Sequence, residues 1–185
     1  MKANKIKLDN FEFIVRPFSR RYLSQKYVKA FTNFINQLVK EDAKILANKP
    51  YTIKKEREYL KEILNRVKQR KLVYIVAEHK GKIAGSVEIA CGNLRKAKIA
   101  VYGIAIAKPY RGIGLGKYLS QLAFKMAKKL KPKPKIIRLE VFENNKPAIK
   151  LYEKLGFKKV AKIPKALEYK GKLIGEIVMM KELNN

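Results

Sequence analysis

Residues 107–117, Ala-Lys-Pro-Tyr-Arg-Gly-Ile-Gly-Leu-Gly-Lys, constrain this chain more than any other stretch. An apolar, β-branched run from Ile99 to Ile106 leads into them. Leu119, Leu122, Ala123, Met126 and Leu130 then recur at helical spacing. The segment therefore reads as strand, glycine-rich loop, helix. Glycines let the backbone turn tightly and let a ligand approach the amides with no Cβ in the way. The start of the helix adds unsatisfied N–H donors and the positive end of its dipole. Arg111 and Lys117 bracket the loop with full charges. The combination suits a bound phosphate or pyrophosphate.

Spacing decides between phosphate loops. A Walker A loop would need glycine where Arg111 stands and a serine or threonine where Tyr118 stands. The dinucleotide fingerprint begins at Gly112 and Gly114 but meets Lys117 at its third glycine. Arg-x-x-Gly-x-Gly, as Arg111, Gly114 and Gly116, does fit. It resembles the acetyl-CoA pyrophosphate loop of the GCN5-related N-acetyltransferase (GNAT) superfamily. A second block supports this: Leu139-Glu-Val141, then Asn145, Ala148, Leu151, Tyr152, Gly156 and Phe157, is similar to the C-terminal half of such a domain. The block is also sound physically. Asn145 can cap a helix, Pro147 suits its first turn, and Gly156 suits its C-terminal end.

The order of elements follows from periodicity and breaks. Phe11 to Arg16 reads as a first strand, Ser19 as the cap of a long helix to about Lys40, and Thr52 as the cap of a second helix to about Gln69. Tyr59, Leu60, Ile63, Leu64 and Val67 are expected on the inner side of that second helix. Strands are expected at 72–78 and 82–91, the motif strand at 97–107, its helix at 114–130, a strand at 135–142, a helix at 145–155 and a last hairpin at 157–169 and 172–182. The resemblance implies an α/β (α+β) GNAT-like fold. Its central sheet is mixed and mostly antiparallel, with about seven strands and about four flanking helices, splayed between the fourth and fifth strands. One domain over residues 1–185 is expected, with an acceptor side in about the first 70 residues and a cofactor-binding core in the rest.

Composition bounds the function. There is one cysteine, Cys91, and one histidine, His79, so neither a disulfide framework nor a multi-histidine metal site is expected. Cys91 reads as a core residue and His79 as a solvated turn residue. No apolar run approaches the ~20 residues of a membrane span, and the Met1-Lys-Ala-Asn-Lys-Ile start lacks a signal-peptide core, so a cytoplasmic protein is expected. Lys plus Arg number 44 against 15 Asp plus Glu, a formal charge of +29 that attracts coenzyme phosphates and equally nucleic acid. The densest run, Lys128 to Lys135, reads as a solvated loop at a helix C-terminus in preference to a nucleic-acid contact.

The resemblance implies direct transfer of an acetyl group from acetyl-CoA, with no metal, to a primary amine of a small molecule or a protein or peptide. It implies cofactor contacts from the main chain of Ile104, Ala105 and Ile106, from the loop residues Arg111, Gly112, Ile113, Gly114, Leu115, Gly116 and Lys117, and from Asn145 and Tyr152. Tyr152 matches the family's proton donor to the departing thiolate. Its phenol, near pKa 10, can supply that proton, and packing against the sheet is the competing role. Many relatives carry a carboxylate where Val101 stands here, which leaves Glu88 and Glu140 as candidate bases, beside a water relay. Tyr22, Tyr27, Phe31, Tyr51 and Tyr59 are aromatics available to an acceptor pocket. Glu41, Asp42, Glu56 and Glu58 are the main acidic group near it, too few to favour polyamines. A non-catalytic acyl-CoA-binding or nucleic-acid-associated module is the alternative, and a homodimer is compatible with either reading.

Overall fold

The computed structural model describes residues 3–183. The Met1 and Lys2 part of the N-terminal reading, and the ends of the 1–185 domain, lie outside the described residues. Strands β1 (Asn4–Leu8), β2 (Phe11–Pro17), β3 (Leu72–His79), β4 (Lys82–Cys91), β5 (Ile99–Ile106), β6 (Ile136–Phe142), β7 (Lys158–Tyr169) and β8 (Lys172–Glu182) form one sheet in the order β1-β2-β3-β4-β5-β6-β8-β7. Four helices flank it: α1 (Gln25–Lys40), α2 (Ile53–Lys68), α3 (Leu115–Ala127) and α4 (Lys146–Lys154). Every neighbouring pair is antiparallel except β5 and β6. That parallel pair holds only from Ile99↔Ile136 to Val101↔Arg138, after which the strands part. The mixed sheet and its splay are those the resemblance implied.

Local chemistry accounts for most boundaries. The Thr52 hydroxyl accepts from the Lys55 amide at 3.1 Å and starts α2. Helix α4 closes with Gly156 at φ +87°, the Gly156 amide donating to Glu153 and the Phe157 amide to Tyr152, a Schellman ending. Both strands of the β3–β4 hairpin are buried almost throughout, as expected for the middle of a sheet covered on both faces. Tyr102 of β5 packs against Phe124 of α3 and bonds its hydroxyl to Ser120 at 2.7 Å, so α3 covers the Tyr102 face. Phe18 and Phe31 lie on the opposite face, against Tyr74 and Tyr22.

Four expectations need correction. An eighth strand, β1, precedes the first expected one; its alternation of Ile6 and Leu8 with Lys5 and Lys7 is short and only half buried. The helix expected from Ser19 is broken, because Ser24 is extended at ψ 150° between a 3₁₀ turn at Arg20–Leu23 and α1. The break lets Tyr22 point inward to donate to the buried Glu78 carboxylate at 2.7 Å. In α2 Leu60, Ile63, Leu64 and Val67 face inward as expected, but Glu56 is buried at 3% exposure whereas Tyr59 is 40% exposed. Finally, His79 is not simply solvated. It is half-buried, packs edge-on against Phe11 and places Nδ1 2.7 Å from the Glu12 carbonyl oxygen.

Candidate active site

The loop after β5 is built for close approach. Gly112 and Gly114 adopt φ of +83° and +90°, a region that side chains disfavour, and a Cβ on either would point into open space. Gly114 caps α3 without a side chain, which leaves the first-turn amides of Leu115, Gly116 and Lys117 without a capping acceptor. Gly116 serves differently: a Cβ there would lie 3.2 Å from Leu151 of α4 and 3.7 Å from Ile104. Its missing side chain lets the head of α3 meet α4 beside the splay. Arg111 is anchored at both ends of its guanidinium, donating from Nε to the Ile106 carbonyl at 2.8 Å and pairing with Glu41 at the end of α1. Those bonds hold the loop onto the end of β5.

Beyond Val101 one edge of β5 has no strand beside it. The Ala107 amide donates to Ala84 and the Ile99 carbonyl accepts from Gly92, both on the β4 side. Main-chain groups alternate along a strand, so Gly103 and Ala105 also face β4, while Ile104 and Ile106 face the gap. Ala105, expected among the main-chain contacts, therefore has its amide and carbonyl turned toward β4.

Tyr152, on the inner side of α4, is 8% exposed, its ring edge-on to Tyr102 at 5.8 Å between centroids. The described residues give its hydroxyl no hydrogen bond. Burial pushes its pKa up to about 12, so the phenol keeps its proton through the neutral range. Asn145 caps α4 in position, yet its side chain makes no capping bond and is left for other partners.

The two carboxylates differ. Glu88 stands opposite Gly103 in the β4–β5 register, and a Cβ on Gly103 would lie 3.3 Å from its Oε1. The bare glycine thus makes room for the carboxyl over β5, within the stretch that β6 has left and one residue before Ile104. Burial raises the Glu88 pKa, partly offset by Arg66. Glu140 continues β6 past its last pairing with β5, where Arg138 neutralises it. Tyr102 and Gly103 are adjacent and point to opposite faces. Tyr152 and Glu88 therefore approach β5 from opposite sides of the sheet, at the mouth of the splay.

The fold that carries these residues has known counterparts. The sequence profile described as the Acetyltransferase (GNAT) family matches residues 37–157. The chain belongs to the GNAT family. An N-alpha-acetyltransferase of Sulfurisphaera tokodaii is 35% identical over 103 residues, 51% of this chain and 61% of that protein. The match thus spans less than two thirds of that relative. YwnH of Bacillus subtilis, which carries the name of a phosphinothricin acetyltransferase, is 32% identical over 114 residues, 60% of this chain and 69% of that one. In fold, the chain superposes on yncA of Salmonella typhimurium, solved with acetyl-CoA, with a TM-score of 0.75 at 18% identity over 93% of this chain and 94% of that one.

The residues present fit the acetyl-CoA of GNAT enzymes. The open space over Gly112 and Gly114 and the uncapped amides of α3 suit a pyrophosphate, and the gap-facing main chain of Ile104 with the Ile106 amide, whose carbonyl is taken by Arg111, suits an amide-bearing arm. Among the described residues no group of three or more His, Cys, Asp or Glu side chains is placed to hold a metal. No described helix is long and apolar enough to cross a membrane.

On the face opposite α3 the aromatic residues separate. Tyr22 and Phe31 are core, and Tyr27 donates to Glu78, whereas Tyr51 and Tyr59 stay at the surface. Tyr59 is near enough to Glu88 to feel its charge. Val101, on the same face as Gly103, is 54% exposed, so this side of the splay lies open to solvent. The acidic residues expected to attract cations are mostly engaged: Glu41 holds Arg111, Asp42 faces Lys170 at 3.5 Å, and Glu56 is buried. Cys91 is buried beside the Pro132 carbonyl with its thiol pKa raised by burial, far from nucleophilic character.

Proposed function

We propose that this protein transfers the acetyl group of acetyl-CoA to a primary amine in a ternary complex, and that a polypeptide α-amine is its preferred acceptor. The observation that carries this reading is the placement of Glu88 and Tyr152 on opposite faces of β5 at the splay. Acetyl-CoA supplies a thioester whose carbonyl carbon takes the amine and whose sulfur leaves. Glu88 accepts the proton that the amine loses, from the open face. The Ile104 and Ile106 edge orients the donor's arm. Tyr152 gives a proton to the sulfur from the other face. Arg111, Lys117 and the loop amides hold the pyrophosphate and fix the register of the arm.

The acceptor class follows from pKa. An α-amine titrates at about 8, so roughly a tenth of it is neutral at pH 7, whereas a lysine ammonium at about 10.4 is neutral in less than one molecule in a thousand. One desolvated carboxylate, with no histidine in reach, is matched to the easier proton. The open surface beside Val101 and Tyr59 leaves room for an extended chain, and the N-alpha-acetyltransferase relative supports the same choice. The similarity to YwnH favours a second reading, a small primary amine.

Thiol release from acetyl-CoA, measured across peptides with free N-termini, the same peptides with blocked N-termini and internal lysines, and small amines, tests the choice. Turnover is expected on free N-termini and not on blocked peptides. Turnover confined to small amines would select the second reading, and none on any acceptor would return the chain to a binding module.

A further inference from the structure

Three loops meet at the end of the sheet away from the glycine-rich loop. The Lys131 amide donates to the Arg70 carbonyl at 2.9 Å, joining the α3–β6 loop to the α2–β3 loop. The Lys135 amide donates to the Lys98 carbonyl at 2.8 Å, joining it to the β4–β5 loop. Residues 68–71, 93–98 and 128–135 thus form one surface, and eleven of these eighteen residues are Lys or Arg with no Asp or Glu among them. Glu182, opposite Ile136 on β8, borders that end. Lys71, Arg95, Lys98, Lys129, Lys131 and Lys135 are exposed and hold no ion pair among the described residues. In the sequence, Lys128 to Lys135 alone is explained by the carbonyl end of α3. The folded chain adds Lys68 at the end of α2 and five cations from the two other loops, which owe nothing to that helix.

We propose that this basic end is a docking surface for the phosphate backbone of duplex RNA. Cations packed this closely repel one another and are relieved by a ligand of matching charge density. Lysine prevails over arginine, and no exposed aromatic residue lies in the three loops, which points to phosphates and not to base edges or stacked single strands. The surface is made of short loops. Apart from the single 3₁₀ turn Leu94–Lys96 and the last turn of α2, which are too short to lie along a groove, the described residues present no helix or projecting ribbon there to enter the major groove of DNA. Short loops suit the wide, shallow minor groove of A-form RNA and the phosphates flanking it. Leu94, 93% exposed and held at φ +50°, projects from the middle loop among these charges. The eight residues of β5 put about 23 Å between this end and the pyrophosphate loop, so RNA and coenzyme do not compete for one site.

The test is fluorescence anisotropy of the full chain with a labelled RNA duplex of about 16 base pairs. It is run from low to moderate salt beside a DNA duplex of the same sequence and an acidic polypeptide. Binding that weakens steeply with salt is expected. The triple variant K129E/K131E/K135E should weaken it tenfold or more and flatten the logarithmic salt slope by about three, one for each lysine withdrawn from a phosphate. The variant K5E/K26E/K29E makes the same change of net charge on exposed lysines elsewhere and should have a much smaller effect. K129Q/K131Q/K135Q repeats the test without new acids, and thermal unfolding shows that each variant is folded. Equal losses in the two charge-reversal variants would overturn the local surface in favour of net charge alone. Equal or tighter binding of DNA or of the acidic polypeptide would overturn the assignment to RNA, and no RNA binding would overturn the proposal.

Discussion

Replacing Glu56 by glutamine is expected to stabilise the protein at neutral and alkaline pH. Glu56 lies in the first turn of α2, buried, with no ion pair among the described residues, and burial raises its pKa from 4.5 to about 7. The folded state therefore keeps a proton that the unfolded chain has released. Below pH 4.5 both states are protonated and the carboxyl costs nothing. Between 4.5 and about 7 stability falls as pH rises, because the folded state binds more protons than the unfolded one. Above about 7 the loss levels off at no more than ~3.5 kcal/mol, since each pKa unit is worth about 1.4 kcal/mol. A glutamine amide never ionises, but as a buried polar group it costs about 1 kcal/mol of its own. A net gain of about 1–2 kcal/mol at pH 8 follows, which for a chain of this size is a rise in Tm of roughly 2–8 °C. At pH 4 the variant should match or fall slightly below the parent. Thermal melts from pH 4 to 8 read this directly. A gain that does not change with pH, or a loss at pH 8, would refute the idea that Glu56 is a desolvated carboxyl without a partner.

Two further outcomes probe the site. Glu88→Gln should lower kcat/KM by about 10²-fold or more while leaving acetyl-CoA affinity unchanged, and should remove the acidic limb of the pH–rate profile. In the parent that limb should lie above the ordinary carboxylate range, because burial raises the Glu88 pKa and the base works only when deprotonated; an unaltered profile in the variant would point away from Glu88. Gly114→Val should abolish acetyl-CoA binding in calorimetry and cost about 1–3 kcal/mol of stability, since φ +90° is unfavourable for a branched side chain. Retained affinity in a folded variant would remove the loop from the coenzyme site.

What the sequence made legible was local. The loop at 107–117, the Schellman end at Gly156 and the hairpin turns at Gly81 and Gly171 all announce themselves through glycine, and each has positive φ in the fold. The pairing of β5 with β6 for only three residues follows from no single local signal; it came through the resemblance. Three features depend on distant partners and were not visible. Tyr22 is drawn inward by Glu78, 56 residues away, and this breaks the expected first helix. Arg111 is fastened by Glu41, 70 residues earlier. The distinction between Glu88 and Glu140 arises only in the register, where Glu88 faces a glycine and Glu140 sits beside Arg138. The burial of Glu56 in place of Tyr59 shows the same limit: periodicity ranked residues by polarity, whereas packing extended the buried stripe of Leu60 and Ile63 through Glu56.

Acetyl transfer with Tyr152 as the acid rests most directly on the kinetics of Tyr152→Phe. That change keeps the ring, its burial and its edge contact with Tyr102, and removes only the phenolic hydroxyl with its proton. With an accepted amine in steady state, and calorimetry with acetyl-CoA alongside, turnover should fall by about 10²-fold or more while affinity changes by no more than one hydrogen bond's worth, about 0.5–1.5 kcal/mol. Turnover within a few-fold of the parent would contradict the donor role and leave Tyr152 as packing, and equal losses in rate and affinity would reassign it to holding the coenzyme.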